Sequence, residues 1–515
     1  MARSEIASAQ APPSQDADLD QMERLVGVGV GWKLTGQLLV QGLRLVTVLI
    51  LARLLTPADY GTAAIAIALG SFAPTVADLG MSTALVQVDQ ASRRMRSTTF
   101  WAGLAFGLCL TALFAAAAAP VGNFLHEPEV GTMVAVGGIT FAICSIGSTS
   151  QAVFMREMRF RSIELRYWFA VALASALAVV AAVAGAGAWA LVLQQVVLLA
   201  TFAVALWWRA PWRPTFEFSR ADFRRLASFA MRVAGGRWAR LAELLLLTVL
   251  IGKLVGITEL GAWSFAMSTV ILPLSVIVIP IAEVLFSAFS RLQGDRERMA
   301  ALWLQSVRYL SAVIMPLLAT LVVTAPDLIP GVFGSQWDIS VGVIQILSVY
   351  VIIRSLQSWG QVLLDAVGRP EVTLWTQLVA LLLTPVGVVV GAHWGIEGVA
   401  VGFVLKQLIA VEIPVMVVVL SELRTSLRSV AGRLYTVPTA VLVMASVTFV
   451  ARLALSRLGV EMEERAALTI GVAFGTYAIA LWLLAPDIVR RAVALARGLV
   501  SKALGPRRRV VLQTR

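Results

Sequence analysis

The stretch ILARLLTPADYG at residues 50–61 returns about 200 residues later as LIGKLVGITELG at residues 250–261. In each copy an apolar segment ends on a basic residue, Arg53 or Lys253. An acid-x-glycine triplet then follows, Asp59-Tyr60-Gly61 or Glu259-Leu260-Gly261. Glycine after the acid suits a tight turn into the next helix, because it takes positive φ without strain. Further pairs keep the same order along the chain. Val76-Ala77-Asp78-Leu79 stands over Ile281-Ala282-Glu283-Val284, Gln151 and Arg159 over Gln361 and Arg369, and Ala188-Trp189-Ala190-Leu191 over Gly398-Val399-Ala400-Val401. The chain therefore reads as two related halves.

The material between these landmarks is apolar. Hydrophobic residues make up 59% of the 515-residue chain, beyond what a soluble globular domain carries, and mean hydropathy is +0.84. With roughly 20 apolar residues needed per helical span, fourteen spans are expected. They lie near 26–54, 62–87, 99–121, 130–153, 165–185, 188–208, 227–254, 260–289, 301–324, 340–366, 372–392, 396–420, 433–456 and 465–485. This predicts an all-α polytopic membrane protein. A cytoplasmic tail (1–25) precedes an N-terminal six-helix half (26–208). A basic linker (209–226), with a short amphipathic helix from Ser219, leads to the second six-helix half (227–420). Two appended helices (421–485) and a basic tail (486–515) follow. Six spans per half is even, so both halves enter from the same side. They should be related by a pseudo-twofold along the membrane normal.

Charge decides orientation. Of the Lys and Arg in the gaps and tails, 29 fall on one side and only Arg457 on the other. Lys/Arg-rich loops stay cytoplasmic, which puts both termini in the cytoplasm of a bacterial inner membrane. The net charge of +12 is thereby explained without nucleic acid, and the Arg507-Arg508-Arg509 run fits contact with anionic lipid. The first 25 residues lack the apolar core of a cleavable signal. Cys109 and Cys144 fall inside spans and His126 and His393 are far apart, so neither a disulfide framework nor a metal site is expected.

Charged groups inside spans cost several kcal/mol, about 3 on insertion scales, and normally face a protein interior or a water-filled cavity. Lys33, Gln37, Gln41 and Arg44 share one face of the first span. Its counterpart carries Gly236, Arg240 and Glu243 on one face with Arg237 beside them. Span 10 carries Arg354, Gln357 and Gln361, with Asp365 a turn on, and span 9 adds Arg308. Lys33 and Arg308 lie near enough to a span end to snorkel. Arg44, Arg240 and Arg354 lie deeper, and pairing within one half is the alternative to a ligand role. The deep basic groups outnumber the acidic ones, which predicts unpaired positive charge and an anionic ligand. Arginine suits phosphate through its planar fork. Asp78 with Lys33, and Glu283 with Arg232, are expected to act as equivalent gating pairs at the cytoplasmic ends of their helices, with a purely structural role as the alternative. Glu397, Lys406 and Glu412 in span 12 fit no pattern. Pro74, Pro273, Pro280, Pro316, Pro385 and Pro414 mark expected kinks.

Residues 51–61, followed by Asp78-Leu79-Gly80 and Ala84-Leu85-Val86-Gln87, resemble the polysaccharide-transporter branch of the multidrug/oligosaccharidyl-lipid/polysaccharide (MOP) flippase superfamily. The stretches 155–161, 286–293 and 366–370 are similar too. The resemblance covers spans 1–12 and implies a Wzx-type flippase of lipopolysaccharide or exopolysaccharide biosynthesis. Such a protein is no enzyme. It moves undecaprenyl-pyrophosphate-linked oligosaccharide units across the inner membrane and uses no cofactor. The coupling gradient, H⁺ or Na⁺, stays open. Membrane lipids and other polysaccharide-assembly proteins are the implied partners. On this reading Arg44, Arg240 and Arg354 attract the anionic headgroup, Arg237 and Arg308 assist, and Gln37, Gln41, Gln357 and Gln361 bond sugar hydroxyls.

Two other functions compete. A cation-coupled exporter of the same superfamily would favour acidic central residues. A membrane glycosyltransferase, polymerase or ligase usually presents a sizeable outward loop, whereas the largest gap here, 325–339 with Asp327 and Asp338, is short. No Gly-rich phosphate loop ending in Gly-Lys-Ser/Thr is present, which disfavours a nucleotide-driven pump.

Overall fold

A computed structural model describes residues 36, 39–88, 91–208, 210–356 and 359–491, and among them finds helices and turns only. The N-terminal half holds α1 (39–54), α2 (Pro57–Val76), α3 (Met81–Gln87), α4 (Arg93–Leu125), α5 (Pro128–Arg156), α6 (Phe160–Val183) and α7 (Trp189–Trp207). The second half holds α8 (Arg220–Leu254), α9 (Ile257–Arg291), α10 (Arg296–Phe333), α11 (Asp338–Ser355), α12 (Gly360–Ala366), α13 (Pro370–Ala392), α14 (Gly395–Gln407), a π-helical turn (Leu408–Glu412) and α15 (Ile413–Glu422). The amphipathic α16 (Leu427–Leu434) then leads to the appended hairpin of α17 (Thr436–Arg457) and α18 (Met462–Leu484), which docks on α10. Ten helices are long and apolar enough to cross a bilayer, and Ile257–Leu272 is a shorter apolar segment. The expected fourteen are not reached among the described residues. The expected spans outside those ten are α1, α2, α8 and α9, of which α1 is described from residue 39 on.

The quoted repeat builds that meeting point. Thr56 caps α2 by a reciprocal box: its side chain accepts from the Asp59 backbone, and the Asp59 carboxylate accepts from the Thr56 backbone at 2.8 Å. Pro57 at the first turn reinforces the start. Gly61 and Gly261, expected in turns, instead lie inside α2 and α9. The turn glycine is Gly256, at φ +138°. What the two helical glycines permit is contact of backbone with backbone. A Cβ on Gly61 would fall 1.8 Å from the Ile257 carbonyl oxygen, and one on Gly261 1.6 Å from that of Pro57. The contacts are reciprocal at an offset of 200 residues, as a pseudo-twofold requires.

The basic residues of the repeat are reciprocal as well. Arg53 Nε, at the end of α1, donates to the Val332 carbonyl at the end of α10 at 2.7 Å. Lys253 Nζ, at the end of α8, donates to the Phe124 carbonyl at the end of α4 at 2.6 Å and lies 3.1 Å from His126 Nδ1. Each cation thus reaches from the first long helix of its own half to the C-terminal, electronegative end of a helix in the other half. Trp337 Nε1 donates to the Ala52 carbonyl at 2.8 Å, and its ring stacks on Phe265 with centroids 4.0 Å apart. This end of the bundle is closed.

Three sequence expectations change. The linker helix expected from Ser219 is the first part of α8, a single helix of 35 residues, about 50 Å long and capped by Ser219. Its length carries it well past a hydrocarbon core of about 30 Å. Span 2 is broken. Leu79 and Gly80 take positive φ, and Asp78 accepts the Gly80 and Ser82 amides at 2.9 and 3.0 Å. Asp327, expected in an outward loop, lies inside α10, fully buried, and takes Arg452 of α17 and Arg465 of α18, each at 2.5 Å. That triad fastens the appended hairpin to the second half.

A side chain at the α2–α9 crossing has nowhere to go, and overpacking costs about 1–3 kcal/mol. Gly61→Val and Gly261→Val are each expected to lower the melting temperature of the detergent-solubilised protein by several degrees. Gly471→Ala in α18, whose added methyl meets nothing within 4 Å, should leave it unchanged.

Candidate functional site

The charges inside the second half gather into one cluster. Arg240 and Glu243, three residues apart, lie on neighbouring parts of one face of α8. Arg240 is exposed and Glu243 is buried. Glu243 receives the ammonium of Lys406 from α14, which also donates to Thr384 Oγ1 of α13 at 3.3 Å and sits 4.5 Å above the Phe403 ring. On α11, Tyr350 and Arg354 are four residues apart and so share a face. The Tyr350 hydroxyl donates to Glu412 Oε1 at 2.9 Å, and Arg354 Nε lies 3.7 Å from the same oxygen. Asp365 on α12 accepts from Thr373 Oγ1 at 3.3 Å. Arg240 is within electrostatic reach of Arg354, Glu243, Asp365 and Tyr350.

Counting along the helices at 1.5 Å per residue, Arg240 lies about 20 Å and Arg354 about 24 Å from the closed end. Both therefore sit at membrane depth. Charges exposed there face water-filled space rather than lipid. The cluster has two parts. Lys406 and Glu243 are enclosed, at 3% and 8% side-chain exposure, and tie α8, α13 and α14 together. The Arg354 side chain is 47% exposed and stands open beside Arg240.

The expected surplus of positive charge is absent from this cluster. Arg240, Arg354 and Lys406 face Glu243, Asp365 and Glu412, three against three among the described residues. Exposure, not count, distinguishes the two open guanidiniums.

The other expected residues lie elsewhere. Arg44 donates to the Tyr167 hydroxyl of α6 at 2.5 Å, with its guanidinium 5.9 Å from the ring centre. It belongs to the N-terminal half, and no described contact joins it to Arg240 or Arg354. Arg308 makes a bidentate pair with Asp487, at 2.6 and 3.1 Å, on the segment after α18. That role is structural in geometry and away from the cluster. Gln41 is buried in α1 and Gln361 half-buried in α12. Asp78 has both oxygens engaged at the α2–α3 break. Lys33, Gln37 and Gln357 lie outside the described residues, as do the side chains of Arg232, Arg237 and Glu283. Among the described residues no group of His, Cys, Asp and Glu could hold a metal ion.

Sequence reasoning left Lys406, Glu412 and Tyr350 out of the site. Lys406 and Glu412 are six residues apart, a spacing that shares no face of a regular α-helix. The π-helical turn at Leu408–Glu412 shifts the register, as such bulges do at functional sites. Three charges in one apolar span, Glu397, Lys406 and Glu412, were the available signal.

The architecture is that of membrane transporters built from two helical lobes. It is similar to lipid II flippase MurJ in an inward closed conformation, with a TM-score of 0.71 at 10% identity over 90% of this chain and 99% of that one. It is also similar to an inward-facing multidrug resistance MATE family transporter of the MOP superfamily, with a TM-score of 0.56 at 14% identity over 76% and 96% of the two chains. Residues 50–342 match the family described as polysaccharide biosynthesis protein, and the chain belongs to that family. Among its relatives are the succinoglycan biosynthesis transport protein ExoT of Rhizobium meliloti, 27% identical over 70% of this chain and 74% of that protein. The lipopolysaccharide biosynthesis protein WzxC of Escherichia coli is 24% identical over 78% and 82%. The expected resemblance to the polysaccharide-transporter branch holds, and the chain is a multi-pass membrane transport protein of polysaccharide biosynthesis, not an enzyme.

Removing one member of a buried ion pair strands the other, at about 3–5 kcal/mol, whereas replacing both with apolar groups is often neutral. Glu243→Leu or Lys406→Met alone should therefore lower the melting temperature more than Glu243→Leu/Lys406→Met together. Thermal unfolding of the four proteins in detergent measures the difference.

Proposed function

We propose that this protein is a flippase that moves undecaprenyl-pyrophosphate-linked oligosaccharide units across the bacterial inner membrane for surface-polysaccharide assembly. The observation that carries the proposal is the pair of exposed guanidiniums, Arg240 and Arg354, at membrane depth in a chain of the polysaccharide biosynthesis family. Two planar forks suit a diphosphate. Names such as succinoglycan biosynthesis transport protein, among the relatives, support the same reading.

By the positive-inside rule the closed end is periplasmic, the basic-loop end is cytoplasmic, and so are both termini. The site, about 20–24 Å from the closed end, then lies nearer the cytoplasmic leaflet, where such lipids are loaded. Arg240 and Arg354 engage the pyrophosphate. Arg44, on the opposite half, completes a cationic cleft when the halves rearrange, with Arg237 contributing positive potential, while Arg308 stays paired with Asp487. Gln37, Gln41, Gln357 and Gln361 bond sugar hydroxyls, and the isoprenoid tail stays in lipid. Lys33 with Asp78, and Arg232 with Glu283, act at the cytoplasmic gate. An H⁺ or Na⁺ gradient drives the cycle, and other polysaccharide-assembly proteins receive the product.

Flipping of a fluorescent undecaprenyl-pyrophosphate oligosaccharide in proteoliposomes tests this. A charge-assisted hydrogen bond contributes about 1.5–3 kcal/mol, so Arg240→Ala and Arg354→Ala should each cost about 10- to 100-fold in rate. Absence of flipping by the wild type under either gradient would remove the proposal.

Alternating access also requires the closed end to part. Arg53→Ala/Lys253→Ala should weaken both reciprocal contacts at once. A cysteine at buried Ala63, in a background lacking Cys109 and Cys144, should then react several-fold faster with an impermeant maleimide added from the periplasmic side. An unchanged rate would mean that these contacts do not hold the end shut.

A further inference from the structure

Glu412 has a chemistry that stability does not account for. It lies at the end of the π-helical turn and is 6% exposed. Its Oε1 takes the Tyr350 hydroxyl at 2.9 Å and faces Arg354 Nε at 3.7 Å, while its Oε2 is buried with no hydrogen-bond partner. Buried polar atoms are nearly always paired, and an unpaired one costs about 1–3 kcal/mol. The hydrogen bond from Tyr350 needs only one of the two carboxylate oxygens, so the idle Oε2 is a cost that this contact does not explain.

The neighbouring pair shows what a purely structural arrangement looks like here. Lys406 and Glu243 are in close contact, both enclosed, with Thr384 taking a further ammonium hydrogen. The Arg354–Glu412 pair differs in each respect. It is longer than a hydrogen bond, one carboxylate oxygen is idle, and the guanidinium is half-exposed. One pair is close and enclosed, and the other is longer and half-exposed.

We propose that Glu412 is an internal anion that holds Arg354 in the empty site and is displaced from it by the phosphate of the substrate. The proposal rests on the flippase reading and adds a determinant of specificity. Arg240 and Arg354 lie within electrostatic reach of each other, and without an acid nearby they would repel. Glu412 moderates that repulsion while the site is empty. A diphosphate carries more than one negative charge and can span both guanidiniums, so it outcompetes a single carboxylate. A lone carboxylate, such as that of an acidic sugar, offers Arg354 no more than Glu412 already does. The site therefore prefers the pyrophosphate to acidic sugars, and Glu412 recaptures Arg354 when the headgroup must leave. Glu412 is a positioning residue that acts through Arg354.

The test is binding of inorganic pyrophosphate and of glucuronate to the purified full-length protein in detergent, by titration calorimetry. Glu412→Gln is expected to bind pyrophosphate about tenfold more tightly. It should also discriminate less against glucuronate, and lose both gains in Glu412→Gln/Arg354→Ala. In proteoliposomes its KM and kcat for flipping should fall together. Tyr350→Phe, which frees the carboxylate to engage Arg354 more strongly, should change pyrophosphate affinity in the opposite direction, and it keeps the test open where Glu412→Gln does not fold. Unchanged or weaker pyrophosphate binding by folded Glu412→Gln, or equal effects of the two substitutions, would overturn the proposal. If the wild type flips no anionic glycolipid while the pyrophosphate shifts appear, the flippase reading fails and the displacement stands. If it flips and the shifts are absent, the reverse holds.

Discussion

At one place α2 and α9 cross with no side chain between them. Gly61 meets the Ile257 carbonyl and Gly261 meets that of Pro57, so the axes come as near as two helices can. Everything at that end follows from this approach. It brings the end of α1 under Gln336 and Trp337, puts Arg53 within reach of α10, and puts Lys253 within reach of α4. Small residues are how helices associate where lipid removes the hydrophobic drive between them. At the opposite end the start of α8 packs on the N-terminal half, with Leu226 buried among Met81, Ala84, Leu85 and Met95.

The second constraint is the expense of charge in hydrocarbon. The chain meets it in three ways. Asp327 is fully buried and held by two arginines, which fastens the appended hairpin. Glu243 and Lys406 enclose each other and fasten three helices of the second half. Arg240 and Arg354 stay exposed, with Glu412 3.7 Å from Arg354. The first two arrangements hold structure in place, and in the proposed flippase the third is where the anion binds. A cation at membrane depth is thus functional or structural according to what its neighbours leave exposed.

Much of this was legible beforehand. The apolar segments, the repeat at residues 50–61 and 250–261, and the deep Arg240 and Arg354 all come from pattern and period. The family resemblance was legible from residues 51–61, although those residues make capping and packing contacts rather than chemistry. Other features were hidden for physical reasons. Partners distant in sequence, such as Lys406 with Glu243 or Asp327 with Arg452, share no local period. A π-helical turn changes which residues share a face without leaving a composition signal. Asp78 looks like any intramembrane acid until the break at Leu79-Gly80 shows its carboxylate closing a turn.

The sequence by itself determined the class of molecule: a long apolar chain, duplicated in order, with its basic residues in alternate gaps. Those properties follow from the bilayer, which demands apolar spans and retains Lys/Arg-rich loops on one side. Tertiary structure alone decided which charges are neutralised and which are offered. Neutralisation depends on distances of a few ångströms between residues far apart in sequence, and only the packed helices set those distances.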